Sequence, residues 1–171
     1  RQNFRKPKSV RVEGRIIFGE ALTASDGDRW VRQRRLAAPA FHTQRIDAYG
    51  EAVVRYTEGG VATWRDGETR RFDRDMLRLT IQILCKTLLD AEVAGEADEI
   101  GEAITTAMRA FGARIRLGIP TPDWLPAKHN LRMRRGMERV HRLLNPIIKE
   151  RRGSSEDRGD LLSALISAQD Q

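Results

Sequence analysis

Trp30 and Arg34 stand four residues apart in the run Arg29-Trp30-Val31-Arg32-Gln33-Arg34-Arg35. On a helix that spacing puts both on one face, one turn apart. An indole N–H and a guanidinium then point the same way, and neither can accept a hydrogen bond. Two such donors suit one carboxylate, or two close ones, at the edge of a buried ligand. A packed tryptophan beside a surface arginine meets the same spacing, so the pair needs support from its flanks. Arg29, Arg32 and Arg35 recur every three residues on the opposite side as a cationic stripe.

Other reactive residue types offer less. No glycine-rich phosphate loop, metalloprotease histidine pair or nucleophile elbow is present. His42, His129 and His141 have no partner at metal-ligand spacing, so no metal site and no catalytic residue is assigned. The single cysteine, Cys85, excludes an internal disulfide. It lies in an apolar run, where a free cysteine behaves as a small buried hydrophobe. A reducing, cytoplasmic compartment is expected from this usage.

The elements that must position these residues read as helices. Residues 1–27 are mixed and end in the turn Ser25-Asp26-Gly27-Asp28. Asp26 or Asp28 is placed to cap a helix from about Arg29, which must end near Ala38, before Pro39. A second helix fits 43–64, weakened by Gly59-Gly60 at about 1 kcal/mol per glycine. A third, over 73–89, carries Leu77, Ile81, Leu84 and Leu88 on a wide apolar arc that predicts a central place. A fourth spans 96–117, with Ile104, Met108, Phe111 and Ile115 along one face. The stretch Gly118-Ile119-Pro120-Thr121-Pro122 then breaks the chain. A long helix over 129–151 turns Met137, Val140, Leu144 and Ile147 inward. At Pro146 it either kinks or restarts with Asn145 as cap. Asp160 caps a short closing helix to about Ala168. The fold class is all-α, a helical bundle.

Length and composition agree. The 171 residues suffice for one domain with a core. With 40% hydrophobic and 32% charged residues, global disorder is excluded. No apolar run approaches the ~20 residues of a membrane span. The chain opens at Arg1 with no leader and is read as part of a longer protein. A net charge of +7 raises acidic partners and nucleic acid, yet 6% aromatic residues leave little to stack bases on.

The flanks of Trp30 then carry a longer pattern. Gly19-Glu20-Ala21-Leu22-Thr23 leads through the Ser-Asp-Gly-Asp turn to Trp-x-x-x-Arg-Arg-x-x-x-Pro-x-Phe, ending at Phe41. This resembles the loop into helix C of bacterial cytochromes P450, the haem-thiolate monooxygenases, where Trp-x-x-x-Arg binds haem propionates. The remainder follows in order. Asn3-Phe4-Arg5-Lys6 looks like the segment ahead of the B–C region, the later helices look like D, E, F and G, and 160–165 looks like helix H. The resemblance implies one partial domain over 1–171, with a B–C loop region at 1–27 and a bundle of helices resembling C to H at 28–171.

By that resemblance, Trp30 and Arg34 would bind haem b, with Leu22 near the haem edge. Thr23, Met108 and Phe111 would border the substrate pocket. Arg29, Arg32 and Arg35 would face a ferredoxin or flavin-containing reductase that delivers electrons from NAD(P)H. The parent would activate O2 and oxygenate a hydrophobic small molecule. The glycine-rich loop with the iron-ligand cysteine is missing, as are the Glu-x-x-Arg motif and the acid–threonine pair. Cys85 lacks the flanks of that loop and is not assigned as ligand. The chain alone should be inactive and, with apolar faces uncovered, unstable.

Two other readings remain at this point. One is a helical ligand-sensing regulator that binds nucleic acid, for which Leu131-Arg132-Met133-Arg134-Arg135 is the best candidate. The other is a non-enzymatic helical interaction module.

Overall fold

The computed structural model describes residue 6 and residues 14–116, 125–154 and 157–168. The proline-rich break at 118–122 and the segment 3–5 lie outside the described residues. Among those described, the elements are all helices and turns. They are α1 (described over 14–18), α2 (Gly27–Ala37), a 3-10 turn (Ala38–Phe41), α3 (Thr43–Val61), α4 (Phe72–Leu89), α5 (Ala97–Arg116), α6 (Lys128–Ser154) and α7 (Leu161–Ser167). None is long and apolar enough to cross a membrane.

The chain divides into two compact units. The first holds Arg1–Leu36 and Ala103–His141, the second Ala37–Glu102 and Arg142–Gln171. In the first, Ile17, Ala110 and Met133 form the core, with Ile16, Phe111 and Met137 against it. The buried side of α5 is built from small residues, Ala103 at 0%, Ala107 and Ala110. That lets α6 come close: a Cβ on Gly136 would stand 2.9 Å from the Ala103 carbonyl oxygen and 3.0 Å from the Ala107 nitrogen. Buried Arg114 donates to Asn130 Oδ1 at 2.8 Å, and Asn130 Nδ2 donates to the Leu125 carbonyl at 3.0 Å.

In the second unit Ile81, Cys85, Val93, Ala97 and Ile100 make the core, flanked by Leu77, Leu89, Leu143, Leu144 and Ile147. This is the central place expected for α4, with one correction: Leu84 stands exposed. The helix stops where Asp90 takes a left-handed conformation (φ 45°), held by Lys86 Nζ at 2.7 Å from its carboxylate. Helix α3 passes through Gly59-Gly60 but ends at Val61, short of the expected Trp64. Trp64 leaves the helix and meets Phe72 edge-on, with ring centroids 6.4 Å apart.

Of the two alternatives at Pro146, the restart is not taken: α6 runs on as one helix with Pro146 inside it. Asp160 caps α7 as expected, accepting from the Ser163 N–H at 2.7 Å. It also receives Arg151, which donates to the Ser163 hydroxyl and to the Leu89 carbonyl as well. One buried guanidinium thus joins the end of α4, the end of α6 and the start of α7.

Candidate functional site

Two glycines frame the loop ahead of Trp30. Gly19 (φ 56°) and Gly27 (φ 61°) both take left-handed conformations that cost other residues about 1–2 kcal/mol. Between them the backbone turns tightly: the N–H groups of Ala24 and Ser25 both donate to the Ala21 carbonyl at 2.9 Å. Helix α2 starts at Gly27, so Asp28 falls inside its first turn and is not the cap. Asp26 accepts from the Lys6 backbone N–H at 3.3 Å.

Side chains then fasten this loop from two sides. Lys6 Nζ donates to the carbonyls of Leu22 (2.7 Å) and Ser25 (2.8 Å). Gln33, on α2, accepts from the Ser25 hydroxyl and donates to the Glu20 carbonyl, both at 2.6 Å. Sequence reasoning missed Lys6, Ser25 and Gln33. The signal was weak, because each contact crosses a turn and has no fixed spacing.

On α2 the expected neighbours meet. The Arg34 guanidinium lies 5.3 Å from the Trp30 ring centroid, within cation–π range. Trp30 is half-buried and Arg34 exposed. Among the described residues, neither the indole N–H nor the guanidinium has a hydrogen-bond or ion-pair partner. Two unpaired donors on one face, neither able to accept, fit a carboxylate-bearing ligand. The same donor set fits a haem propionate.

The other expected residues divide. Leu22 is half-buried and Thr23 exposed, both within the fastened loop. Phe111 is half-buried and meets Phe18, just ahead of the loop, at 6.5 Å between centroids. Met108 is 43% exposed, and Ile104 and Ile115 are exposed beside it. Ile104, Met108 and Ile115 therefore stand on the open face of α5, while Ala103, Ala107 and Ala110 are on its packed one. Arg29, Arg32 and Arg35 are all exposed. Arg29 is taken by Glu20, which Arg15 also approaches at 3.3 Å. Arg32 and Arg35 keep their charge unpaired among the described residues.

Cys85 is distant in character from any thiolate site. It is buried in the apolar core of the second unit, and burial pushes its thiol above the ordinary value. Among the described residues no three of His, Cys, Asp or Glu come together as a metal site.

Comparison with known proteins completes the picture. The family model described as "Cytochrome P450" matches residues 2–171. The chain is 33% identical over 165 residues to cyclooctatin synthase of Streptomyces melanosporofaciens, covering 94% of this chain and 36% of that protein. It is 30% identical over 158 residues to cyclooctat-9-en-7-ol 5-monooxygenase of the same organism (92% and 34%). Pentalenene oxygenase of Streptomyces avermitilis matches at 28% over 158 residues (92% and 35%). The chain thus spans about a third of the length of the curated relatives it matches. With the family model matching nearly end to end, this chain belongs to the cytochrome P450 family.

Proposed function

We propose that these 171 residues are one partial domain of a haem-thiolate monooxygenase, with 1–27 as its B–C loop region and the following helices as C to H. The observation that carries this is the Trp30–Arg34 pair of unpartnered donors inside the family's Trp-x-x-x-Arg pattern. Trp30 and Arg34 would hold a propionate of haem b, and Leu22 would lie at the haem edge. Bound haem, with a thiolate ligand supplied by the parent outside these residues, supplies the activation of O2. This chain's own contribution is to bind, to orient and to exclude water. Arg34 offsets propionate charge, and the fastened loop holds Leu22 and Thr23 in place beside it.

The substrate is a hydrophobic small molecule. The open apolar face of α5 with Met108, the half-buried Phe111 and the exposed Thr23 supports this reading. So do the names of relatives that act on cyclooctat-9-en-7-ol and pentalenene. Electrons come from NAD(P)H through an acidic ferredoxin or flavin-containing reductase. Arg32 and Arg35 would receive that partner, with Arg29 partly neutralised by Glu20. The lone free Cys85 suits a cytoplasmic, reducing setting.

The test is a reduced carbon-monoxide difference spectrum of the full-length parent, read with its intact mass. A Soret band at the position of thiolate-ligated haem, in a protein well above 19.5 kDa, is expected. A parent that takes up no haem would sink the proposal.

A further inference from the structure

We infer that Gln33 is a positioning residue: its amide bridges the Glu20 carbonyl and the Ser25 hydroxyl, and so fixes the Leu22–Thr23 segment against the helix that carries Trp30 and Arg34. Both bonds are short, at 2.6 Å, and they use opposite ends of one amide. The Ser25 side of the bridge is inside the protein, at 2% exposure. Ser25 Oγ also reaches the Leu22 carbonyl at 3.4 Å, and Lys6 Nζ takes the Leu22 and Ser25 carbonyls from the other side. Three carbonyls of a seven-residue loop are thereby bound by the side chains of Lys6 and Gln33, and the Ser25 hydroxyl gives its proton to Gln33. Gln33 precedes Arg34 directly, so the loop and the donor pair are referred to one rigid turn of α2. A loop tied to α2 keeps Thr23 at a set offset from whatever Arg34 holds. This inference rests on the haem reading for its functional meaning, while the brace itself does not.

The experiment uses the full-length haem-loaded parent with Gln33→Ala, Gln33→Glu, Thr23→Ala and the double substitution Gln33→Ala/Thr23→Ala. Amide exchange is followed over 20–26, and imidazole binding to the ferric protein is followed by its Soret shift. Gln33→Ala should speed exchange at 20–26 at least tenfold while α3 and α4 stay unchanged. Gln33→Glu keeps the acceptor for Ser25 but not the donor for Glu20, and should fall between. Imidazole affinity should shift at least threefold in Gln33→Ala, and Thr23→Ala should add little to it. Unchanged exchange would overturn the brace. Strictly additive effects of the two substitutions on imidazole would overturn the positioning role. Failure of the haem reading shows separately, as an Arg34→Ala protein that releases haem no faster than wild type, and the exchange result then still decides the brace.

Discussion

Arg151 Nη1 lies 2.5 Å from Asp160 Oδ2, and the two side chains are buried to 3% and 6% exposure. Neither charge has water to fall back on, so each depends on the other. Removing one partner of such a pair typically costs about 3–5 kcal/mol. Asp160→Ala, which also deletes the cap of α7, should lower the urea midpoint of the parent more than Asp160→Asn, which keeps a capping oxygen. Equal midpoints for the two would contradict this account.

The same pair should make the protein acid-sensitive. Burial pushes the Asp160 carboxyl up, but the Ser163 N–H and hydroxyl and Arg151 outweigh it and hold the group below the ordinary range. The unfolded chain therefore takes up the proton first as pH falls. The stabilisation is complete above the unfolded value of about 3.9 and is lost as pH drops through the lower folded value. Urea titrations across that window should show a steep limb in wild type and a shallower one in Asp160→Asn.

Gly136→Ala should destabilise the first unit. The added methyl would meet backbone atoms of Ala103 and Ala107 at 2.9–3.0 Å, and backbone cannot step aside as a side-chain tip can. Overpacking of this kind costs about 1–3 kcal/mol, against a helix-propensity gain of about 1 kcal/mol. A thermal midpoint that rises would show that α5 and α6 are not in such close contact.

Arg34→Ala should weaken haem retention in the parent. A charge-assisted hydrogen bond is worth about 1.5–3 kcal/mol, which is about tenfold or more in the rate of haem transfer to apomyoglobin. Arg34→Lys should restore only part of it, because an ammonium lacks the planar fork.

Reversing Arg32 and Arg35 to Glu should slow reduction by an acidic partner and flatten its dependence on ionic strength. Arg29→Glu should matter less, because Glu20 already offsets Arg29. Haem content should be unchanged in all three. Stopped-flow reduction across a salt series gives the comparison.

The helices were legible because apolar spacing and breakers marked them: Asp160 was readable as a cap, and Trp30 with Arg34 as neighbours from a separation of four. What escaped reading shares a physical cause. Ala103, Ala107 and Gly136 bury little area each, so they leave no strong hydrophobic signal, yet they allow the close approach of α5 and α6. The larger Ile104, Met108 and Ile115 drew attention to the face that is open. Arg151 reads as a surface residue until Asp160 and Ser163 fold back over it. The bridge from Gln33 to Ser25 spans eight positions and a turn, which no periodicity encodes.

Cys85 has one more use. It is the sole thiol of these 171 residues and is packed among Ile81, Val93 and Ile100. A thiol reagent cannot reach it without parting those side chains. The rate at which the reagent modifies Cys85 in the parent, followed at that residue, is then a clock for transient openings of the second unit's interior.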